Sequence, residues 1–244
     1  MSRIRLDIAL EQRGLVPSRA RARDAILRGT VTINGHPASK PNQQVSESDV
    51  IALDDPAAAY VSRSALKLIA GLDSTGFDPR GKVCLDLGAS TGGFTQVLAE
   101  RGAAKIYAVD VGHGQLHADV AALPNVVSLE GTNARDLGPE LVAEPIEMLV
   151  CDISFVSLTK VIEAPSALCL PGAEAVLLIK PQFEVGRDHI GKGGIVRAGP
   201  HVEEAIAAVI AKMSNLGWIL VARMPSPLKG GDGNIEQLAA FRRG

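Results

Sequence analysis

The sequence contains few cysteines and no long apolar segment. Its three cysteines, Cys84, Cys151 and Cys169, are odd in number and form neither a disulfide framework nor a CxxC pair, so we expect a reducing, cytoplasmic compartment. The longest apolar runs are bounded by charged residues and fall short of the roughly 18 residues that a membrane span needs. The opening residues, MSRIRLD, mix acid and base without a following apolar region. We therefore expect neither a secretory signal nor a membrane protein.

Aromatic residues are also scarce, at 3% of 244 residues, and Tyr60 is the first of them. A formal net charge of -2, with 46% hydrophobic and 21% charged residues, is typical of a globular chain and argues against disorder. That total conceals an uneven distribution, because residues 1–40 hold eight Lys or Arg against three Asp or Glu. Residues 41–244 hold 17 against 24. The basic residues are thus concentrated at the amino-terminal end.

The main basic element is a helix predicted after Pro17, with Ser18 as its N-cap. Ala22, Ala25 and Ile26 form a narrow apolar stripe on this helix, and arginines flank the stripe on both sides. These arginines are Arg19, Arg21, Arg23 and Arg28. We expect all four guanidinium groups to reach solvent, either as the ordinary charged face of a small α+β module or as a surface that binds phosphate.

A short helix at 6–13, strands at 30–33 and 50–53, and the hairpin signal Asn34-Gly35 complete this module. Residues 1–55 together resemble the small RNA-binding domain of a small-subunit ribosomal protein, which also occurs in pseudouridine synthases and some tRNA synthetases. The resemblance is carried by Ser18, Arg19, Ala22, Ile26, Gly29, Val31, Asn34 and Gly35. It implies that the arginine helix binds structured RNA. With no aromatic residue before Tyr60, we expect recognition of shape and backbone without base stacking.

A second domain is expected at residues 63–244, after a linker at 56–62. A helical segment at 65–72 precedes six apolar runs that alternate with helical segments and predict strands. The runs lie at 83–87, 106–110, 126–130, 148–151, 175–179 and 218–223. This alternation predicts an α/β fold, a Rossmann-like, doubly wound and mainly parallel sheet with both faces covered. Ligands of such sheets bind beyond the carboxyl ends of the strands.

The turn after the first of these strands reads DLGASTGGF, and Asp110 closes the second strand. Glycines allow a ligand to approach the backbone, and an acid in the place of Asp110 can accept hydrogen bonds from both hydroxyls of a ribose. S-adenosylmethionine fits this turn because it carries no phosphate, and the turn begins with an acid and lacks a lysine. The candidate cofactor residues are Asp86, near the ammonium group, then Gly88, Ser90, Thr91, Gly92, Gly93 and Phe94, and Asp110 on the ribose.

Two other interpretations of this turn are weaker. A dinucleotide site would have glycine where Ser90 stands. The nucleophile elbow of hydrolases fits the same GxSxG pattern, with Asp152 and either His189 or His201 to complete a triad, but no upstream oxyanion loop of the HGGG type is found.

Two further motifs resemble ligand sites. The tract GRDHIGKG resembles a phosphate loop, but Gly193 stands where Ser or Thr would bind magnesium, and we expect a mobile loop near the site. His113 and His117 lie four residues apart, but no third ligand is in register. We therefore expect no metal.

Lys180 ends the apolar strand AVLLIK, and Asp152 ends the preceding strand MLVCD. The two side chains should face each other across adjacent strand ends at the ligand edge. They form either a plain ion pair or a lysine base held by an acid, because a buried lysine near a second cation loses its proton more easily.

From Tyr60 onward the chain resembles the TlyA family of ribosomal RNA 2′-O-ribose methyltransferases, which are related to the FtsJ type and include proteins labelled haemolysins. The motifs that carry the resemblance are SRSALKL, DLGASTGGF, AVDVGHGQLH, CDISFVSL, LLIKPQFEVGR, KGGIVR and SPLKGGDGNIE. By this resemblance the catalytic residues are Lys67, Asp152, Lys180 and Glu236. The resemblance also implies that Arg135 and Asp136 lie against the adenine.

We interpret Lys180 as the group that accepts the 2′-hydroxyl proton. Lys67 would favour its neutral form by like-charge proximity, while Asp152 and Glu236 would hold both amino groups. Sequence alone does not separate Glu236 from an ordinary acid at a helix N-terminus, and Phe155 is expected either to stack on the target nucleoside or to pack in the core.

We therefore expect a cytoplasmic enzyme that uses S-adenosylmethionine to methylate a ribose, on a cytidine, in ribosomal RNA or ribosomal subunits. A non-catalytic RNA-binding protein and a membrane-active haemolysin are the alternatives. No aromatic-rich amphipathic segment supports the haemolysin.

Overall fold

The computed structural model describes residues 3–244, which divide between Ala59 and Tyr60 into two compact units. The amino-terminal unit contains β1 (Ile4–Arg5), α1 (Leu6–Gln12), α2 (Arg19–Leu27), β2 (Val31–Ile33), β3 (His36–Pro37), β4 (Gln44–Val45) and β5 (Ile51–Leu53), followed by a 3₁₀ turn at Pro56–Ala59. Strand β2 pairs antiparallel with both β3 and β5, and β1 pairs with β4.

The basic helix α2 forms as its sequence predicts. The Oγ atom of Ser18 accepts a hydrogen bond from the Arg21 backbone N–H at 3.3 Å, which caps the helix. Ala22, Ala25 and Ile26 are fully buried against α1 and β2. Their burial leaves the arginines on the flanks of the helix.

The expectation that all four guanidinium groups reach solvent is wrong for Arg28. Its side chain is only 14% exposed, and its guanidinium donates to Asp24 at 2.8 Å and to both carboxylate oxygens of Asp55 at 2.7 and 2.6 Å. Asp55 comes from the segment after β5, so the periodicity of the helix alone could not place it. Arg19 and Arg23 remain exposed, and Arg21 is half-buried and donates to the Ala57 carbonyl oxygen at 2.7 Å.

The larger unit alternates helices and strands. Its elements are α3 (Ala65–Thr75), β6 (Val83–Leu87), α4 (Gly93–Glu100), β7 (Lys105–Asp110), α5 (Ala118–Ala121), β8 (Val126–Glu130), β9 (Ile146–Cys151), α6 (Glu163–Ala167), β10 (Cys169–Ile179), α7 (Pro181–Glu184), α8 (Pro200–Asn215), β11 (Trp218–Pro225) and β12 (Gln237–Arg243), with short 3₁₀ turns at Ala134–Asp136, Leu158–Lys160, Arg187–His189 and Lys192–Gly194.

Within residues 60–244 the strands form one sheet in the order β11-β12-β10-β9-β6-β7-β8. Five neighbouring strands, from β10 to β8, run parallel, and β12 runs antiparallel between β10 and β11. The six predicted strands are present, two with the predicted ends (83–87 and 126–130) and four longer than predicted, and the mainly parallel, Rossmann-like α/β fold is confirmed. Helices α3 and α4 pack on one face and α8 on the other.

Strand β12 is the element that the sequence did not predict. Glu236 therefore precedes a strand, and its interpretation as an acid at a helix N-terminus is wrong. Both faces of β12 are covered, so four successive residues are buried: Leu238, Ala239, Ala240 and Phe241. The sequence of β12 therefore lacks the alternation of apolar and polar residues that marks a half-exposed strand. In residues 3–244 no helix is both long enough and apolar enough to span a bilayer.

Candidate active site

The carboxyl ends of β6 and β9 meet where the strand order reverses, which is the expected ligand position in such a sheet. Gly88 follows β6 with φ +78°, and a Cβ atom there would lie 3.0 Å from the carbonyl carbon of Asp152 and from the Cα atom of Ile153. Both the backbone angle and the space therefore require glycine. This close contact brings Asp152 next to the glycine-rich turn.

A cavity of about 560 Å³ opens beside this point. Its apolar wall comes from side chains after β7 and β9, among them Val111, Ile153 and Val156, and its polar wall includes Asp110 and Asn133. The volume and the two kinds of wall suit a nucleoside-sized ligand, with a flat ring against the apolar side.

Asp110 is held rigidly at the edge of this cavity. Its Oδ2 atom accepts from the Ser90 backbone N–H and its Oδ1 atom from the Gly112 backbone N–H, both at 2.8 Å. Each carboxylate oxygen keeps a free lone pair, so the group can still accept hydrogen bonds from a ribose diol. Ser90 adopts φ +48°, a conformation that is uncommon for a residue other than glycine.

A narrower cavity of about 150 Å³ adjoins the first. The two share Gly88, Ser90, Asp152 and Ser154 in their walls, so they are parts of one cleft. Thr91, Phe94 and Lys180 line the narrow part, together with Ser62 and Ser64.

The remaining residues of the glycine-rich turn lie behind this wall. A Cβ atom added to Gly93 would lie 2.5 Å from Ser64 Oγ. A Cβ atom added to Gly92 would lie 2.8 Å from the Leu116 side chain and 2.9 Å from the Val120 side chain. Both glycines therefore permit close packing of the turn and line neither cavity.

Asp86 is fully buried and lines neither cavity. Its Oδ2 atom accepts from Thr95 Oγ1 at 2.6 Å, and its Oδ1 atom has no hydrogen-bond partner among the described residues. Burial, together with the nearby Asp152 and Asp110 charges, raises the pKa of Asp86 to about 7. The structure thus places Asp86 beneath the turn, with no direct access to a ligand.

Two buried ion pairs lie at the carboxyl end of β10. Lys180 Nζ is 2.6 Å from Asp152 Oδ1 and donates to Ser154 Oγ at 2.6 Å and to the Asp152 carbonyl at 3.1 Å. Lys67 Nζ, from α3, is 2.5 Å from Glu236 Oε2, and the two side chains are 7% and 2% exposed.

Sheet register relates the positions of the two ion pairs. Ile179 of β10 is opposite Gln237 of β12, so Lys180 and Glu236 occupy the next pair of positions beyond the ladder. Residues directly opposite in an antiparallel pair share one face, with Cβ atoms about 5 Å apart. The register therefore places Glu236 across from Lys180 and brings the two ion pairs to the same end of the sheet.

Not every predicted side chain reaches the cleft. Arg135 lines the larger cavity, but Asp136 is exposed outside it. Thr132 and Asn133, which sequence reasoning missed, line it instead. Ser154 was also missed, although its spacing of two from Asp152 in CDIS is a signal that could have indicated it.

Phe155 lies at the mouth of the cleft and is 90% exposed, so its interpretation as a core residue is wrong. Its φ of +69° is strained for a phenylalanine, and its ring centroid is 5.3 Å from that of Phe183. Such strain is found where function requires a side chain in a particular position.

His113 and His117, the two histidines four residues apart, contact the local backbone. His117 Nδ1 accepts from the Asp119 backbone N–H at 3.3 Å at the start of α5, and the His113 ring lies over Gly131. No group of three or more His, Cys, Asp or Glu side chains within residues 3–244 could hold a metal.

Comparison with known proteins gives a consistent result over both units. Residues 60–243 match the FtsJ-like methyltransferase family, and residues 4–51 match the S4 domain. The 16S/23S rRNA (cytidine-2′-O)-methyltransferase TlyA of Mycobacterium tuberculosis is 43% identical over 98% of this chain and 90% of its own length. Hemolysin A of Brachyspira hyodysenteriae is 41% identical over 98% of this chain and 99% of its own. A solved structure from Streptococcus thermophilus, named as a haemolysin, is 34% identical with a TM-score of 0.77 over 100% of this chain and 89% of that one.

Proposed function

Because the chain belongs to the FtsJ-like methyltransferase family and carries an S4 domain, we propose that it transfers a methyl group from S-adenosylmethionine to the 2′-hydroxyl of a cytidine ribose in ribosomal RNA. The name of the Mycobacterium tuberculosis relative supports the substrate. The position of Lys180 in the narrow part of the cleft supports the chemistry and is the observation that carries the proposal.

The cleft fits the cofactor in three respects. Asp110 would accept hydrogen bonds from the ribose hydroxyls, and the adenine would lie against Ile153 and Val156, with Arg135 at its edge. The backbone from Gly88 to Thr91 would surround the methionine portion in the narrow cavity. Asp86 would act through the shape of the turn, because it lines neither cavity. When bound, the cofactor supplies an electrophilic methyl group on its sulfonium.

Lys180 would take the proton of the 2′-hydroxyl on its neutral Nζ atom. This nitrogen contacts the Asp152 carboxylate, the Asp152 carbonyl oxygen and Ser154 Oγ, and the neutral amine, with two N–H groups, would release one of these contacts to turn its lone pair to the cleft. Lys67 would act on this site through its positive charge, part of which Glu236 offsets. A base in this place contributes roughly 10² to 10⁴ in rate.

The target nucleoside would be held at the mouth of the cleft by Phe155. Its exposed ring, fixed by Phe183, offers a stacking surface for a base that has left its helix. The S4 unit would bind the surrounding RNA through Arg19, Arg21 and Arg23. Arg28 would contribute less, since its guanidinium is already bound to two carboxylates.

Labelled methyl transfer to purified ribosomal subunits tests this function. We expect Lys180→Ala to lose at least 10²-fold in transfer rate while cofactor affinity, measured by calorimetry, stays close to that of the wild type. Lys212→Ala is the matched control, because Lys212 forms only a surface pair with Glu163. Wild-type rates for Lys180→Ala would refute the assignment of the base, and cofactor binding by the wild type without any transfer would indicate a non-catalytic RNA-binding protein.

A further inference from the structure

Basic side chains of the larger unit differ in their pairing at the two edges of the sheet. Near the amino ends of the parallel strands, these side chains form ion pairs with N–O distances of 2.5 to 3.8 Å. The pairs are Arg80–Asp78, Lys82–Glu174, Arg101–Asp73, Lys105–Glu144 and Lys212–Glu163. At the edge where the cleft opens, Lys180 and Arg223 are paired with Asp152 and Glu203, but a second set of bases, in the loops after β8, β9, β10 and β11, is exposed. We call Arg135, Lys160, Arg187, Lys192, Arg197 and Lys229 the rim bases. Within residues 3–244, none of them has a carboxylate oxygen within 4.0 Å.

An excess of bases does not explain this difference. Residues 60–244 hold 17 Lys and Arg against 20 Asp and Glu, so there are enough carboxylates to pair every base. The same loops also carry the exposed carboxylates of Asp136, Asp188 and Asp232, but none of these pairs with a rim base, so the rim bases remain available to an anionic ligand.

Three rim bases, Arg187, Lys192 and Arg197, lie in one segment, residues 186–201, which we call the basic hairpin. Its two sides are joined by the bridge between Ile190 and Val196 and by backbone hydrogen bonds from Gly191 to Ile195 at 2.7 Å and from Arg197 to His189 at 3.0 Å. These backbone contacts give the hairpin a defined conformation.

Asn234 fixes the hairpin to the active site. This side chain is 4% exposed, accepts from the Val196 backbone N–H and donates to the Gly194 carbonyl, both at 2.9 Å. It lies two residues before Glu236, the partner of Lys67. The position of the basic hairpin is thus tied to the segment that enters the catalytic cluster.

We propose that the basic hairpin binds the phosphate backbone of the RNA strand that carries the target ribose. This inference rests on the proposed function and names the part of the larger unit that holds its substrate. The ammonium group of Lys192 and the guanidinium groups of Arg187 and Arg197 suit phosphate oxygens. Asn234 ties the hairpin that carries them to the segment before Glu236, which suits a strand whose nucleoside enters the cleft.

The double variant Lys192→Gln/Arg197→Gln tests the inference in the full-length protein. We expect the plot of log affinity for ribosomal subunits against log salt to lose about 1.4 to 1.8 of its slope, as for two lost phosphate contacts. The KM for RNA should rise about tenfold, with kcat and cofactor affinity unchanged. Arg80→Gln/Arg101→Gln removes the same charge from the other edge and should leave the slope and KM as they are.

Two results would overturn the inference while the proposed function stands. In the first, the wild type methylates RNA and the hairpin variant keeps its salt slope and KM. In the second, the variant loses binding to phosphatidylglycerol vesicles and keeps its binding to RNA, which would assign the hairpin to an anionic membrane surface. Absence of methyl transfer by the wild type would refute the proposed function itself.

Discussion

Gly88 is the residue on which the shape of the cleft depends most directly. We expect Gly88→Ala to weaken cofactor binding by at least tenfold, because a Cβ atom would lie 3.0 Å from backbone atoms of Asp152 and Ile153. Gly81 also has a positive φ, +72°, but nothing lies within 4 Å of its Cβ position. Gly81→Ala therefore carries the backbone strain alone, about 1 to 2 kcal/mol. Calorimetry should separate the two variants, and equal cofactor affinities would show that the close contact is unimportant.

Asp86 predicts how stability depends on pH. Burial raises its pKa to about 7 from the ordinary value of 3.8, so between pH 4 and 7 the unfolded chain releases this proton while the folded chain keeps it. The folded state then binds more protons, and its stability falls as pH rises. Asp86→Asn mimics the protonated acid and does not ionise. The free energy of unfolding of this variant should therefore lack the fall with pH that Asp86 causes, which is up to about 4 kcal/mol. Denaturant unfolding at several pH values measures the difference, and parallel curves for the two proteins would contradict the prediction.

Motifs indicated residues of the cleft wall where a strand end fixes the direction of the side chain. Asp110 is the last residue of β7 and Lys180 directly follows β10, and both line the cleft. Asp136 and Thr132 lie in an irregular loop after β8, where neighbouring residues point in different directions. The sequence therefore indicated the correct loop and one residue that lines the cavity, Arg135, but it named Asp136 in place of Thr132 and Asn133.

At the scale of elements, the pair of Lys67 and Glu236 joins α3 to the start of β12. Glu236→Ala should destabilise the fold by about 3 to 5 kcal/mol, because it leaves a buried ammonium without a partner. Lys67→Met/Glu236→Leu removes both charges and should recover most of that stability. Urea unfolding measures both effects.

The same double variant separates support of the fold from chemistry. If the positive charge of Lys67 is needed for the chemistry at Lys180, methyl transfer should remain impaired in the stable double variant. Full recovery of transfer together with stability would instead assign the pair a structural role alone.

The elements that the sequence predicted are those with a clear pattern. Helix α2 has a capping serine and an apolar stripe, and the parallel strands are continuous apolar runs between turn signals. Strand β12 was missed because its pairing partners are not adjacent to it in the sequence. Strand β10 lies far upstream, and the loop 226–236 separates β11 from β12. Only the assembled sheet shows that the run QLAAFRR is covered on both faces.

At the scale of the whole molecule, the two units should each contribute to RNA affinity. Arg23 of the S4 unit is exposed on α2, and Lys192 and Arg197 are exposed on the basic hairpin. If each group contacts its own phosphate on one RNA, the losses in binding free energy for Arg23→Gln and for the hairpin variant should add within about 0.5 kcal/mol. Filter binding to ribosomal subunits at fixed salt measures the three affinities. A combined loss no larger than that of one variant would mean that the two surfaces bind RNA in alternative modes, and only one of them would then deliver a ribose to Lys180.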